Sequence, residues 1–216
     1  MRITELATEL QTLAAAGSRY LLGITGVPGS GKSTLAGALT AELNSAGGRA
    51  RAACVPMDGF HRWNSELHAL GLSDYKGCPA SFDANRFVHA LHVLRDCSDR
   101  TVMFPEYSRT IHEPVADAIA ITPDTRIVII EGLYLLYQQP PWHAVRGLLD
   151  SVWYIDIAPA DAMQRLRLRH RALGRSPAVT ERRIAQNDQT NARTVEATRE
   201  RADRLIQFTL DDVRQP

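Results

Sequence analysis

The chain has 216 residues, of which 44% are hydrophobic and 23% charged, with a formal charge of +1. That length can bury a sizeable core without disulfides, and that apolar share excludes wholesale disorder. The near-neutral balance speaks against a polyanion-binding tail, and no apolar run is long enough to span a bilayer: the best, residues 127–137, is short and contains Glu131.

The first residues lack the basic-then-apolar pattern of a signal peptide, so a cytoplasmic protein is expected. Cys54, Cys78 and Cys97 are spaced too widely for a Cys-x-x-Cys site, and an odd count fits reduced thiols. Only Lys32 and Lys76 among the 25 basic residues are lysine, which sharpens any motif that demands one.

In chain order, Ile3, Leu6, Leu10 and Leu13 fall at helical spacing, and Gly17-Ser18 closes that helix. Residues 20–25 read as a buried strand. A glycine-rich turn follows, then a helix to about Asn44, closed by Gly47-Gly48. Residues 50–55 form a second strand ending at Pro56. Residues 58–81 lack clean periodicity and read as a long functional loop with short helical pieces. A helix is expected over 83–94. The stretch 96–122 reads as irregular, with a short strand at 102–104 and an open segment at 110–120. Residues 126–130 and 152–157 are buried strands. A basic helix over 160–173 is broken at 174–177. A second, polar helix is expected over 180–201, then a last strand at 205–210. Strands alternating with helices imply a parallel sheet covered on both faces.

The decisive segment is Gly26-Val27-Pro28-Gly29-Ser30-Gly31-Lys32-Ser33-Thr34. It fits G-x-x-x-x-G-K-[ST], the phosphate-binding P-loop. Glycines let backbone N–H groups curl around phosphate oxygens, and a helix beginning at the loop points its positive end at the same anion. Lys32 can reach the β- and γ-phosphates, and the Ser33 hydroxyl can ligate magnesium. With so few lysines, the pattern arises by chance about once in a thousand such chains. A second signal is the apolar run 127–130 ending in Glu131-Gly132, a carboxylate where such proteins hold magnesium. Gly132 reads as leaving room beside the phosphates. Asp156, which also ends an apolar strand, is the rival.

Taken with segments 56–61, 77–83, 105–109 and 131–136 in that order, the P-loop resembles the kinase family that contains uridine kinase, phosphoribulokinase and bacterial type I pantothenate kinase. The likeness is strongest to bacterial nucleoside/nucleotide kinases of the pantothenate-kinase-like and fructose transport system kinase kind. It spans about residues 20–210. It implies a P-loop NTPase α/β/α sandwich of three layers, with a parallel central sheet, in one domain over 1–216. Residues 161–201 would form a small helical lid. It also implies transfer of the ATP γ-phosphoryl, with Mg2+, to a hydroxyl of a small metabolite such as a sugar, a pantothenate-like alcohol or a nucleoside.

By the same resemblance Asp58 is the base on the acceptor hydroxyl, a role open to any carboxylate within reach. Asp-Gly is also a common turn dipeptide. Arg169 and Arg175 match lid arginines that close over the triphosphate, where a planar guanidinium meets phosphate in two places. Arg167 and Arg171 fit a solvated helix face. Residues 165–204 carry 11 arginines against 5 acids, without the aromatic platform a nucleic-acid partner would need. His61, Tyr107 and Arg109 match positions near the acceptor pocket, and Asn187, Asp188 and Asn191 a region that contacts acceptor in pantothenate kinases. Arg62-Trp63 departs from the motif of true uridine kinases, and the full acceptor pattern of pantothenate kinase is absent.

The alternative is an ATP-binding NTPase regulator without a small-molecule acceptor. A GTPase is excluded, because Asn-Lys-x-Asp needs a lysine after asparagine, whereas Gly31 precedes Lys32 and Tyr75 precedes Lys76. Such families form dimers or tetramers, so a homodimer is left open. Neither a membrane nor nucleic acid is expected as a partner.

Overall fold

The computed structural model describes residues 2–14, 19–45 and 51–207. Five parallel strands form the central sheet: β1 (Tyr20–Thr25), β2 (Arg51–Pro56), β5 (Thr125–Glu131), β6 (Ser151–Ile155) and β7 (Arg204–Ile206), in the order β2-β5-β1-β6-β7. A separate antiparallel hairpin pairs β3 (Val102–Ser108) with β4 (Glu113–Ile121).

The two-residue period of the strands sends alternate side chains to opposite layers. From β5, Ile127 and Ile129 pack with α1 (Ile3–Ala14) and α2 (Lys32–Ser45). Val128 and Ile130 point the other way, toward α4 (Ala84–Asp96), the hairpin and residues 142–149. Residues buried on both faces explain why these strands read as continuous apolar runs. The result is the expected α/β fold with a parallel central sheet and flanking helices.

Three expectations need correction. The segment 110–120 is not open; it is most of β4, joined to β3 by a turn in which His112 has φ +56°. Its strand residues are mostly exposed and include Pro114, so the alternation that betrays a half-buried strand is missing. β3 also runs on to Ser108, past Pro105, where the register shifts. The polar helix over 180–201 is not continuous. It divides into α6 (Pro177–Arg183), a π-helical turn at Ile184–Asp188 and α7 (Gln189–Glu196). The expected closures at Gly17-Ser18 and Gly47-Gly48, the strand start at Ala50 and the strand residues 208–210 lie outside the described residues. Among those described, no helix is long and apolar enough to cross a membrane.

The loop after β2 is long, as expected, with a 3-10 turn at Met57–Phe60 and α3 (Asn64–Ala69). Its first turn is braced from below. Phe60 meets Phe87 of α4 edge-on, ring centroids 5.0 Å apart, and Phe87 also packs on Trp142 at 5.8 Å. Phe87 is fully buried. Phe87→Ala should therefore cost about 3–5 kcal/mol of unfolding free energy, read from urea denaturation. A loss under about 1 kcal/mol would show that this aromatic brace does not carry the loop.

Candidate active site

The carboxyl ends of three adjacent strands meet at one place. Glu131 at the end of β5 is in register with Ile24 of β1 on one side and Pro56 of β2 on the other. β1 feeds the glycine-rich loop and β2 feeds the turn that carries Asp58. Open α/β sheets place ligands at such strand ends.

In the loop, Gly29 has φ +82°, and a Cβ there would lie 2.4 Å from the Ala162 carbonyl oxygen. Only glycine allows both the backbone conformation and the close approach of α5 (Pro159–Ala172). Arg165 of α5 donates to the Ser30 carbonyl at 3.1 Å and ties the same helix to the loop. Lys32 is 9% exposed, and its ammonium donates to the carbonyls of Gly26 at 2.9 Å and Val27 at 3.1 Å. Burial pushes its pKa down to about 8, against the opposing pull of Glu131 and Asp58.

The Ser33 hydroxyl donates to Glu131 Oε1 at 2.8 Å. Burial, reinforced by Asp58, raises the Glu131 carboxyl above its ordinary range. The rival Asp156 is engaged elsewhere: Arg199 grips both its oxygens, at 3.0 and 2.9 Å, and holds its pKa low. Gly132 lines the cavity with Lys32 and Ser33, and its missing side chain is also required by Met57. A Cβ there would lie 2.5 Å from the Cβ of Met57, the residue before Asp58.

Asp58 is positioned by its neighbour. A Cβ on Gly59 would come within 2.2 Å of the Pro105 carbonyl oxygen, so only glycine lets β3 cross this close. The Asp-Gly pair is thus more than a turn; it seats the carboxylate in the cavity wall. His61 stacks on Phe82 with centroids 3.9 Å apart. Its Nδ1 lies 3.3 Å from the Ser81 carbonyl and must donate to it, which leaves Nε2 as an acceptor. Burial lowers the His61 pKa, so the ring is neutral near pH 7.

Two cavities open on this assembly. The first, of about 260 Å3, is lined by the sequence-predicted residues Pro28, Gly29, Lys32, Ser33, Asp58, His61, Tyr107, Arg109, Glu131, Arg169, Arg175 and Asn191. The second, of about 470 Å3, lies between the loop and α5 and takes in Gly31, Thr34 and Arg165. Gly29, Lys32, Ser33, Arg109 and Arg169 line both. Gly26, Val27 and Ser30 line neither and form the floor of the loop. The two cavities thus share one wall, made of the phosphate loop and two arginines.

Asn191 is 4% exposed and donates to the Gly77 carbonyl at 3.1 Å and to Asn187 Oδ1 at 3.2 Å. Both its N–H groups are therefore spent on the protein. Arg167 pairs with Glu181 at 2.7 Å. Arg175 donates to His170 Nδ1, and His170 Nε2 lies 3.2 Å from Asp188. That chain joins α5 to the π-helical turn, a feature often found at functional sites. Lys76, His170 and Arg183 line the first cavity and were not singled out from the sequence. Lysine scarcity was a usable signal for Lys76; nothing local marked the other two.

Nucleoside triphosphate binding should depend on pH through Lys32. A bound polyanion raises the Lys32 pKa above its value of about 8 in the free protein, so binding takes up a proton in the window between the two values. Affinity is then highest below pH 8 and falls as pH rises, by up to about tenfold per unit for one linked proton. Calorimetry in buffers of different ionisation enthalpy checks this. Flat affinity from pH 7 to 9.5 would contradict it.

Residues 21–209 match the model of the Phosphoribulokinase / Uridine kinase family. A candidate uridine kinase of Schizosaccharomyces pombe is 33% identical over 195 residues, covering 88% of this chain and 83% of that protein. A pantothenate kinase of Yersinia pestis is 33% identical over 71% of this chain and 51% of its own length. The crystal structure of a candidate fructose transport system kinase from Silicibacter sp. TM1040 superposes with a TM-score of 0.85, at 34% identity, over 95% of this chain and 99% of that one. The chain belongs to the phosphoribulokinase/uridine kinase family of P-loop kinases.

Proposed function

We propose that the protein moves the γ-phosphoryl group of ATP onto a hydroxyl of a small metabolite at the wall shared by the two cavities. The observation that carries this reading is that Lys32, Ser33, Arg109 and Arg169 line both the phosphate-loop cavity and the cavity that holds Asp58. A transferring phosphoryl group must be reached from two sides at once, by donor and by acceptor.

In this reading the triphosphate lies along the 26–34 loop against α5, and the acceptor lies in the cavity of Asp58, His61 and Tyr107. Asp58 accepts the hydroxyl proton as the acceptor oxygen bonds to the γ-phosphorus and the bond from that phosphorus to the β,γ-bridging oxygen breaks, releasing ADP. Lys32, Arg169 and Arg175 stabilise the negative charge that spreads over the phosphoryl oxygens. Residues 161–201 act as the lid within a single domain, tied to the loop by Arg165. The neutral His61 ring offers an acceptor nitrogen to a second substrate hydroxyl.

The Ser33 and Glu131 oxygens, 2.8 Å apart, are hard donors suited to Mg2+. No group of three or more His, Cys, Asp or Glu residues among those described makes a protein cage for a metal. That donor set fits magnesium, which is commonly held by one or two protein oxygens plus substrate phosphates. When bound there, it would neutralise phosphate charge. An ATP-binding regulator without an acceptor would leave unexplained the first cavity, lined by Asp58 and a neutral histidine.

An ADP-release assay with Mg-ATP and a panel of sugars, sugar acids, nucleosides and vitamin-like alcohols tests the reading, with Lys32→Ala as blank. One acceptor class should raise ADP release well above the blank. Stimulation by none of them, with ATP still bound, would favour the regulator. With the acceptor in hand, Asp58→Asn should lower kcat by about two to four orders of magnitude and leave ATP affinity intact. Unchanged turnover would make Asp58 a turn residue.

A further inference from the structure

We infer that the acceptor carries an anionic group, a carboxylate or a phosphate, and that Lys76 binds it at the end of the cavity away from the hydroxyl that is phosphorylated. This rests on the kinase reading and names the substrate class for that same site.

Lys76 is one of two lysines in 216 residues and lines the cavity of Asp58 and Tyr107. Its ammonium donates to Asn64 Oδ1 at 2.8 Å and to the His112 carbonyl at 2.7 Å, and lies 5.1 Å from the Tyr107 ring centroid. Both acceptors are neutral. Glu113 acts on Lys76 electrostatically, but its Oε1 accepts from the Asn64 N–H at 3.0 Å, and no ion pair with Lys76 forms among the described residues. An ammonium has three N–H donors, so among the described residues one makes no hydrogen bond and stands beside the Tyr107 ring and the open cavity.

The backbone beneath Lys76 is held more firmly than an exposed loop requires. Its carbonyl accepts from Asn187 at 2.7 Å. The next carbonyl, of Gly77, accepts from Tyr134 Oη at 2.7 Å and Asn191 at 3.1 Å. The Gly77 N–H donates to Ser81 Oγ at 2.8 Å. These bonds come from the π-helical turn, α7, the segment after β5 and the loop itself. A clamped backbone presents the side chain at a fixed place, which reduces the ordering cost of binding a ligand.

Charge sets the polarity of the cavity. Asp58 and Lys76 both act on His61, with opposite sign. An anion in the cavity is repelled by Asp58 and attracted by Lys76. Asp188 is engaged by His170, while Arg183 of α6 lines the same cavity. Glu113 offsets part of the Lys76 charge without lining the cavity, so the groups that face the cavity there include the two cations Lys76 and Arg183. A neutral polyol would make no use of them, whereas an acceptor with a hydroxyl at one end and an anion at the other matches both them and Asp58.

Matched probes test this: glycerate against glycerol, gluconate against glucose, and glucose 6-phosphate against glucose. Each is assayed for ADP release with Mg-ATP, and for binding by calorimetry to the full chain loaded with AMP-PNP. At least one anionic member should outperform its neutral partner in both, and the carboxylate and phosphate arms tell which anion is preferred. Lys76→Met should raise KM for that acceptor roughly 10- to 100-fold, with the loss falling on KM rather than kcat. Lys76→Arg, which keeps the charge, should restore much of it, and that rescue separates lost anion binding from a misfolded loop. Neutral probes performing as well as anionic ones, or an unchanged KM in Lys76→Met, would overturn the inference and leave the kinase intact. Anionic probes that bind through Lys76 without raising ADP release above the Lys32→Ala blank would sink the kinase reading and keep the anion site. Absence of binding by any anionic probe would overturn the inference outright.

Discussion

The buried ammonium of Lys32 is the constraint on which the site depends. Its two hydrogen bonds go to neutral carbonyls of the loop that surrounds it, a poor exchange for full hydration. Burying a charge is costly unless it is paired, and burial has pushed this one down to about 8. The loop backbone and the start of α2 add further positive potential at the same point. Glu131 and Asp58 offset part of that cost, and a multiply charged anion would offset more. The buried ammonium is thus a group whose energetics favour an anionic ligand.

The order of the strands decides what stands beside that ammonium. β1, β5 and β2 are neighbours, so the loop, Glu131 and the Asp58 turn emerge side by side. α5 then covers the loop through the contact at Gly29 and the Arg165 bond, and Arg169 one turn further on reaches both cavities. The His170, Asp188 and Arg175 chain ties that helix to the π-helical turn, whose Asn187 holds the Lys76 carbonyl. Hydrogen bonds thus connect α5, which lines both cavities, to the segment that carries Lys76.

How much of this was legible in the sequence follows physical lines. The P-loop was readable because its requirements are local: glycine, lysine and serine at fixed spacing. The central strands were readable because burial on both faces leaves unbroken apolar runs such as 127–130. β4 was not, because its stability comes from pairing with β3 while most of its side chains face solvent. The π-helical turn was hidden for a related reason: its extra residue is selected by what Asn187 and Asp188 reach, a tertiary matter. At Gly132 the neighbour that forbids a Cβ is Met57, which the sequence could not name, since a glycine announces close approach without saying of what. Glu131 and Asp156 ended similar strands, and only the Ser33 bond and the Arg199 fork tell them apart. The family motifs named side chains that line one cavity, yet Lys76, held by two neutral oxygens, lay outside them.

The most direct test of the account is the fate of the γ-phosphoryl group. The protein is incubated with ATP labelled with 18O in its γ-phosphate and a deproteinised pool of small metabolites, and the products are read by mass spectrometry. Transfer at the shared wall of the two cavities predicts a labelled phosphomonoester of one metabolite, absent with Lys32→Ala. Recovery of all the label as inorganic phosphate, with no labelled ester, would contradict it and mark the protein as a hydrolase of its nucleotide.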